Sequence, residues 1–296
     1  MVMKTLPQLL RVRQWNKNLF IFAPLVFSKR LFESQSFLEV LVGFFLFSLA
    51  SSSIYIFNDI IDIENDRQHP EKRHRPIASG KISLKFAISL SIFLGLGSLL
   101  VSSYINFTFG LIVLGYMILN ILYSIILKNI VILDVMTISA GFVLRVIAGA
   151  EIVEVYPSSW IIICTILLSL FLGFSKRRHE LVLLTDKSNN HREVLKHYSS
   201  YFLDQMIVLV TAATVMSYML YTVSEETVKF FGTRHLVWTV PFVLYGIFRY
   251  LFLIHQKKEG GDPSEVVFRD RTMLVNVLLW VISCIIIIYF RGRYSG

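Results

Sequence analysis

Cysteine is nearly absent from this chain. The two present, Cys164 and Cys284, each lie inside an apolar run. Neither a disulfide framework nor a thiolate metal site is therefore available, and packing is their expected role. Proline is also sparse, at 7 in 296 residues, and no Pro- or Ser-rich stretch marks a linker. One domain, 1–296, is expected. Charged residues make up only 17%, below the share usual for a soluble domain. The segment Met1–Trp15 has no apolar core ahead of a small-residue cleavage site, so it does not read as a cleavable signal peptide. No soluble basic module exists, which excludes nucleic acid as a partner.

Apolar sequence takes the place of what is missing. Hydrophobic residues make up 55% of the chain, aromatics 14%, and mean hydropathy is +0.63. These values describe a polytopic membrane protein. The expected fold class is all-α, with about nine transmembrane helices over 17–32, 37–57, 84–104, 106–126, 130–150, 159–175, 203–223, 235–254 and 273–290. The first span is the weakest. Its apolar core, Asn18–Ser28, is short and contains Pro24, which predicts a tilted, kinked or partly interfacial segment.

Lys and Arg set the orientation. They crowd the arm before the first span and the loops 58–85, 176–202 and 255–272. The other side carries only Lys29, Arg30, Lys229, Arg234, Arg291 and Arg293. This asymmetry predicts a cytoplasmic N-terminus. The net charge of +9 then lines the face where anionic lipid heads and phosphorylated metabolites are found.

The second run ends in Asn58-Asp59-Ile60-Ile61-Asp62-Ile63-Glu64-Asn65-Asp66. On a continuing helix Asn58, Asp62 and Asp66 are spaced i, i+4, i+8, with Asp59 beside them. Such an oxygen-only cluster suits Mg²⁺, which in turn suits diphosphate. A solvated helix end is the plainer alternative. The loop that follows supplies Arg67, Lys72, Arg73 and Arg75 as candidate holders of phosphate oxygens, Arg as a fork and Lys as a point charge.

Further candidates are more scattered. Tyr123 and Lys128 close the fourth span, and Asp134 opens the fifth. Arg145 lies about three helical turns beyond Asp134, deep in the membrane. A buried ionisable group there is by default a site hypothesis, with a structural pairing as its alternative. Lys176 and Arg177 end the sixth span, either as anchors or as site residues. Gln14 and Lys17, with Arg13, lie within one helical turn beside Trp15, and either meet a phosphate at the membrane surface or merely flank the first span. Asp262, Glu265 and Asp270 in the last loop are further oxygen donors beside a Gly-Asp-Pro turn. The histidines show no ligand spacing.

Nine spans with an NDxxDxxxD motif after the second resemble the UbiA superfamily of intramembrane prenyltransferases. Other segments resemble its decaprenyl-phosphate phosphoribosyltransferase branch over essentially the whole chain. They are Arg11–Asn18 as RxRQWxKN, the run from Asp66 ending RPIASG, Tyr123–Lys128, Gly141–Ala150, Lys176–Leu181 and Gly261–Arg271. The superfamily usually has a second, DxxxD-type motif. Here Asp134 matches its first acid, but Ile138 stands where the second falls, which argues against an ordinary prenyl-diphosphate donor.

The resemblance implies transfer of 5-phosphoribose from phosphoribosyl pyrophosphate (PRPP) to a polyprenyl phosphate, with release of pyrophosphate. It implies Mg²⁺ on Asp59, Asp62 and Asp66, with Asn58 orienting a ligand. Arg67, Lys72, Arg73 and Arg75 would contact phosphates, and Lys128 and Tyr123 would complete the pocket. Gln14, Lys17 and Arg145 would hold the acceptor phosphate, and Asp134, Lys176 and Arg177 would join the substrate-binding set. The expected partners are PRPP, a polyprenyl phosphate and the membrane, and further copies of the chain are compatible. The expected location is the bacterial cytoplasmic membrane, multi-pass, with the active site on the inner face. The runner-up is an aromatic prenyltransferase making a quinone precursor from a prenyl diphosphate. A transporter is less favoured, because the acids cluster at one face rather than near the midplane.

Overall fold

A computed structural model of the chain describes residues 2–68, 72–185, 193–256 and 263–290. No strand occurs among them, as the sequence predicts. The α-helices in chain order are α1 (Val2–Leu9), α2 (Phe22–Phe27), α3 (Ser34–Ile61), α4 (Ile63–Gln68), α5 (Leu84–Ile105), α6 (Phe107–Ile125) and α7 (Leu133–Ile152). They continue with α8 (Ser159–Thr185), α9 (Ser200–Val223), α10 (Glu225–Phe231), α11 (Val240–Gln256), α12 (Pro263–Arg269) and α13 (Arg271–Tyr289). Side chains cap several N-termini: Ser83 for α5, Asn106 for α6, Ser199 for α9 and Asp270 for α13.

Among the described residues eight helices are long and apolar enough to cross a membrane. The first expected span, 17–32, differs from these. It consists of a 3-10 segment, Val12–Ile21, followed by α2. A 3-10 run of this length is uncommon, and tertiary bonds accompany it here. Trp15 Nε1 donates to Ser52 Oγ at 3.0 Å, and Asn18 Nδ2 donates to Ser48 Oγ at 2.9 Å. The segment thus zips its polar side chains onto the serine-rich face of α3.

Small residues let the backbones approach closely, as membrane helices require. Ser53 and Ser91 exchange hydrogen bonds with each other's carbonyls, at 2.8 and 2.9 Å, across α3 and α5. At Gly149 of α7, an added Cβ would lie 2.0 Å from the carbonyl oxygen of Ile21. Two cores result. Ile21, Leu25, Phe47, Phe109 and Ala148 join the 3-10 segment with α2, α3, α6 and α7. Phe171, Leu203, Ile207, Tyr250 and Leu253 join α8, α9 and α11, and Val135 of α7 reaches into this second core. Up-and-down connection brings the C-terminal ends of α3, α6 and α8 and the N-terminal ends of α5, α7 and α9 to one end of the bundle.

Candidate active site

The acidic motif straddles the end of α3. The helix does not run unbroken: it stops at Ile61, Asp62 is a turn residue, and α4 begins at Ile63. Backbone bonds from Asp62 N to Asn58 O (2.9 Å) and from Asp66 N to Asp62 O (2.8 Å) carry the helical pattern across the break. Asp59 and Asp66 are both 2% exposed. One nitrogen of Arg75, Nη1, bridges them, at 3.0 Å and 2.6 Å respectively. Arg11 also donates to Asp59 and lies over the Tyr55 ring. Asp62 is more open and accepts from Lys128 Nζ at 3.2 Å. Asn58 accepts from Ser124 Oγ.

Among the described residues no three acids converge on one metal position. The expected Asp59–Asp62–Asp66 ligand set is therefore not assembled in this conformation, because Arg75 and Lys128 draw its members to different cations. The donors fit Mg²⁺ in kind. Two buried carboxylates meet on a single positive nitrogen, and a third lies beside them. Hard oxygens arranged around a cation are what Mg²⁺ takes, and burial makes some cation obligatory.

Of the basic loop, Arg75 reaches the acids. Arg67 pairs instead with Glu64 at 2.9 Å on an exposed surface, and exposed Arg73 lies against His74. Lys72 is half-buried in the same loop.

Asp134 and Arg177 depart from expectation. Arg177 Nε donates to Asp134 Oδ2 at 2.6 Å, and the Tyr198 hydroxyl donates to Oδ1 at 2.7 Å. Their side chains are 1% and 0% exposed. The other edges of Arg177 go to Glu180 and to the Tyr123 hydroxyl, the latter at 3.1 Å. In place of two substrate contacts the structure has a closed ion pair, because each edge of the guanidinium is already bonded. Burial, followed by its bond to Asp134, pushes the Tyr198 phenol well above its ordinary value, while the Ile132 N–H opposes this. Tyr198 therefore remains a donor at neutral pH.

The sequence profile of the UbiA prenyltransferase family matches residues 19–269. The chain belongs to the UbiA prenyltransferase family. This UbiA chain is 33% identical over 291 residues to the decaprenyl-phosphate phosphoribosyltransferase of Mycolicibacterium smegmatis, covering 95% of itself and 91% of that relative. It is 31% identical over 294 residues to the enzyme of that name from Corynebacterium glutamicum, covering 96% and 87%. A UbiA homologue from Archaeoglobus fulgidus bound to GPP and Mg²⁺ shares the fold, with a TM-score of 0.73 at 19% identity, covering 95% of this chain and 98% of that one. The protein is thus a multi-span membrane enzyme of the UbiA family.

Within this UbiA bundle Arg145 also differs from its expected role. It is 4% exposed and donates to Asn18 Oδ1 (2.7 Å), Gly141 O (2.8 Å) and the Tyr116 hydroxyl (3.0 Å). The rings of Tyr116, Phe142 and Phe47 surround it at 4.8, 5.2 and 5.5 Å. Its surroundings are a neutral, aromatic cage, which favours the structural pairing. Through Asn18 it pins the 3-10 segment to α7. On that segment Lys17 donates to Gln14, and both are partly buried. Lys176 is half-buried beside Arg177. Asp270 caps α13 and binds Arg249 at 2.7 Å, which gives it a structural use. Asp262 and the Glu265 side chain lie outside the described residues.

Three residues at this end of the bundle escaped the sequence reading: Arg11, Ser124 and Tyr198. Arg11 stood in the basic arm and Ser124 beside Tyr123, so proximity to named candidates was the available signal. Nothing in the sequence points from Tyr198 to Asp134.

Proposed function

We propose that this UbiA enzyme transfers 5-phosphoribose from PRPP to a polyprenyl phosphate of the decaprenyl class, with release of pyrophosphate, at the cytoplasmic face of the bacterial membrane. Similarity along nearly the whole chain to decaprenyl-phosphate phosphoribosyltransferases carries the reading. Ile138, in place of a second acid below Asp134, supports it.

Mg²⁺ held by Asp59, Asp62 and Asp66 would neutralise the charge that develops on the leaving pyrophosphate. The chain's own cations share that task. Arg75 and Lys128 rest on the acids without substrate. They exchange carboxylate for diphosphate oxygens as the donor binds, so no buried charge is left unpaired. Arg75 offers a fork for two oxygens and Lys128 a point charge. Arg11 is placed for the same exchange from Asp59. Asn58, fixed through its oxygen by Ser124, would offer its amide N–H to substrate oxygens. Arg67, Lys72 and Arg73 line the approach for the 5-phosphate, and Tyr123 and Lys176 border it.

The acceptor phosphate is largely ionised near neutral pH, so no strong general base is needed and positioning dominates. Gln14 and Lys17 hold it, on a segment that Arg145 fixes through Asn18. The polyprenyl tail lies between helices, open to lipid. Direct displacement at C1 of the ribose predicts inversion.

Purified protein incubated with Mg²⁺, labelled PRPP and a polyprenyl phosphate tests this. Label is expected in the organic phase. Turnover of a prenyl diphosphate with an aromatic acceptor, and none of PRPP, would overturn the reading. A product that keeps the anomeric configuration of PRPP would rule out a single displacement.

A further inference from the structure

Asp134 is the first acid of a motif whose second position is Ile138, and it faces a guanidinium and a phenol. Tyr198 links this pair to the backbone. Its hydroxyl accepts from the Ile132 N–H at 2.7 Å while donating to Asp134. Ile132 is the N-cap of α7 and has φ 70°, ψ −45°. A positive φ is strained for a β-branched residue and persists only where the surroundings enforce it. The tyrosine is buried among residues of the second core and stacks on Phe202. It is therefore a rigid post for the turn.

That turn carries Lys128. The 3-10 stretch Leu127–Asn129 leads through Ile130 and Val131 into strained Ile132. Lys128 reaches Asp62 from it. On the far side of the network Arg177 holds the Tyr123 hydroxyl, one residue from the Ser124 that fixes Asn58. Both flanks of the network thus end on residues that touch the acidic motif.

We propose that Asp134, Arg177 and Tyr198 are positioning residues that hold the Leu127–Leu133 turn, and through it Lys128, against the diphosphate site, in place of a second metal-binding motif. The Tyr198 arm acts through Lys128, so its removal changes nothing once Lys128 is gone. Arg177 is 1% exposed where Arg75 and Lys128 are 28% and 20%, so it does not yield Asp134 to a metal, and loss of Asp134 leaves metal affinity unchanged.

This rests on the diphosphate site proposed above but not on the choice of donor, since pyrophosphate leaves a sugar or a prenyl chain alike. Pyrophosphate binding in excess Mg²⁺ is measured by calorimetry for the native protein, Tyr198→Phe, Lys128→Ala and the double variant. Tyr198→Phe is expected to weaken binding about tenfold, and the double variant to bind no more weakly than Lys128→Ala. Losses that multiply, or a Tyr198→Phe protein that binds as the native one does, would overturn the proposal. In a second titration, of Mg²⁺ at pyrophosphate concentrations saturating for each variant, Asp134→Asn is expected to keep the native half-saturation. A rise matching that of Asp62→Asn would make Asp134 a metal ligand instead. If Asp134→Asn fails to fold, the Tyr198–Lys128 cycle decides. A native protein that does not bind pyrophosphate would overturn the site itself.

Discussion

Asp59 and Asp66 lie buried side by side, and Asp66 takes its counter-charge from Arg75. Removing a partner from a buried charge costs more than the pair contributes, because the remaining group keeps its desolvation penalty. Arg75→Ala is therefore expected to lower stability by about 2–3 kcal/mol, read as a fall in Tm, and added Mg²⁺ should restore part of the loss. Asp62 is different, being one-third exposed and paired with Lys128. Asp62→Ala should leave Tm within a degree or two of native while turnover drops roughly a hundredfold or more. Substantial remaining turnover would remove Asp62 from the metal site. Chelation by EDTA should abolish turnover without unfolding the protein, since Arg11 and Arg75 already neutralise the buried carboxylates. A large drop in Tm on chelation would mean that the metal is part of the fold. The acids themselves were legible, because their spacing is local. Their resting partners were not, since Arg11 and Asp59 stand 48 positions apart.

At the level of elements the 3-10 segment is the least conventional part of the molecule. It carries Gln14 and Lys17, and four contacts hold it: Trp15 on Ser52, Asn18 on Ser48, Arg145 on Asn18, and Gly149 against Ile21. The last is a contact of backbone with backbone, so no side chain can yield. Gly149→Ala is expected to cost about 1–3 kcal/mol through overpacking, read as a lower Tm. It should also raise KM for the polyprenyl phosphate more than KM for PRPP. Equal changes in both would separate the segment from acceptor binding. Hydropathy located the eight long spans because run length alone decides whether a helix can cross. The first span is weak in hydropathy, as expected, because its short apolar core carries Asn18 and Pro24. The bonds of this segment go to serines of α3 rather than to its own backbone alone.

For the molecule as a whole, the cation asymmetry predicts that the acidic motif faces the cytoplasm. Up-and-down connection puts the loop before α5 and helix α10 at opposite ends of the bundle. In whole cells a membrane-impermeant thiol reagent should label Glu226→Cys and leave Lys81→Cys unlabelled until the cells are broken; both positions are exposed. The reverse pattern would invert the topology. The sequence by itself determined the helical bundle, because a bilayer demands that each spanning backbone bond itself. It also determined the oxygen-rich motif at the end of α3, because that motif is contiguous. Only the tertiary structure decided which cation neutralises which acid. Asp134 meets Arg177 from 43 positions away and Tyr198 from 64. A buried charge takes whatever partner the meeting of helix ends supplies, and no local pattern encodes that meeting.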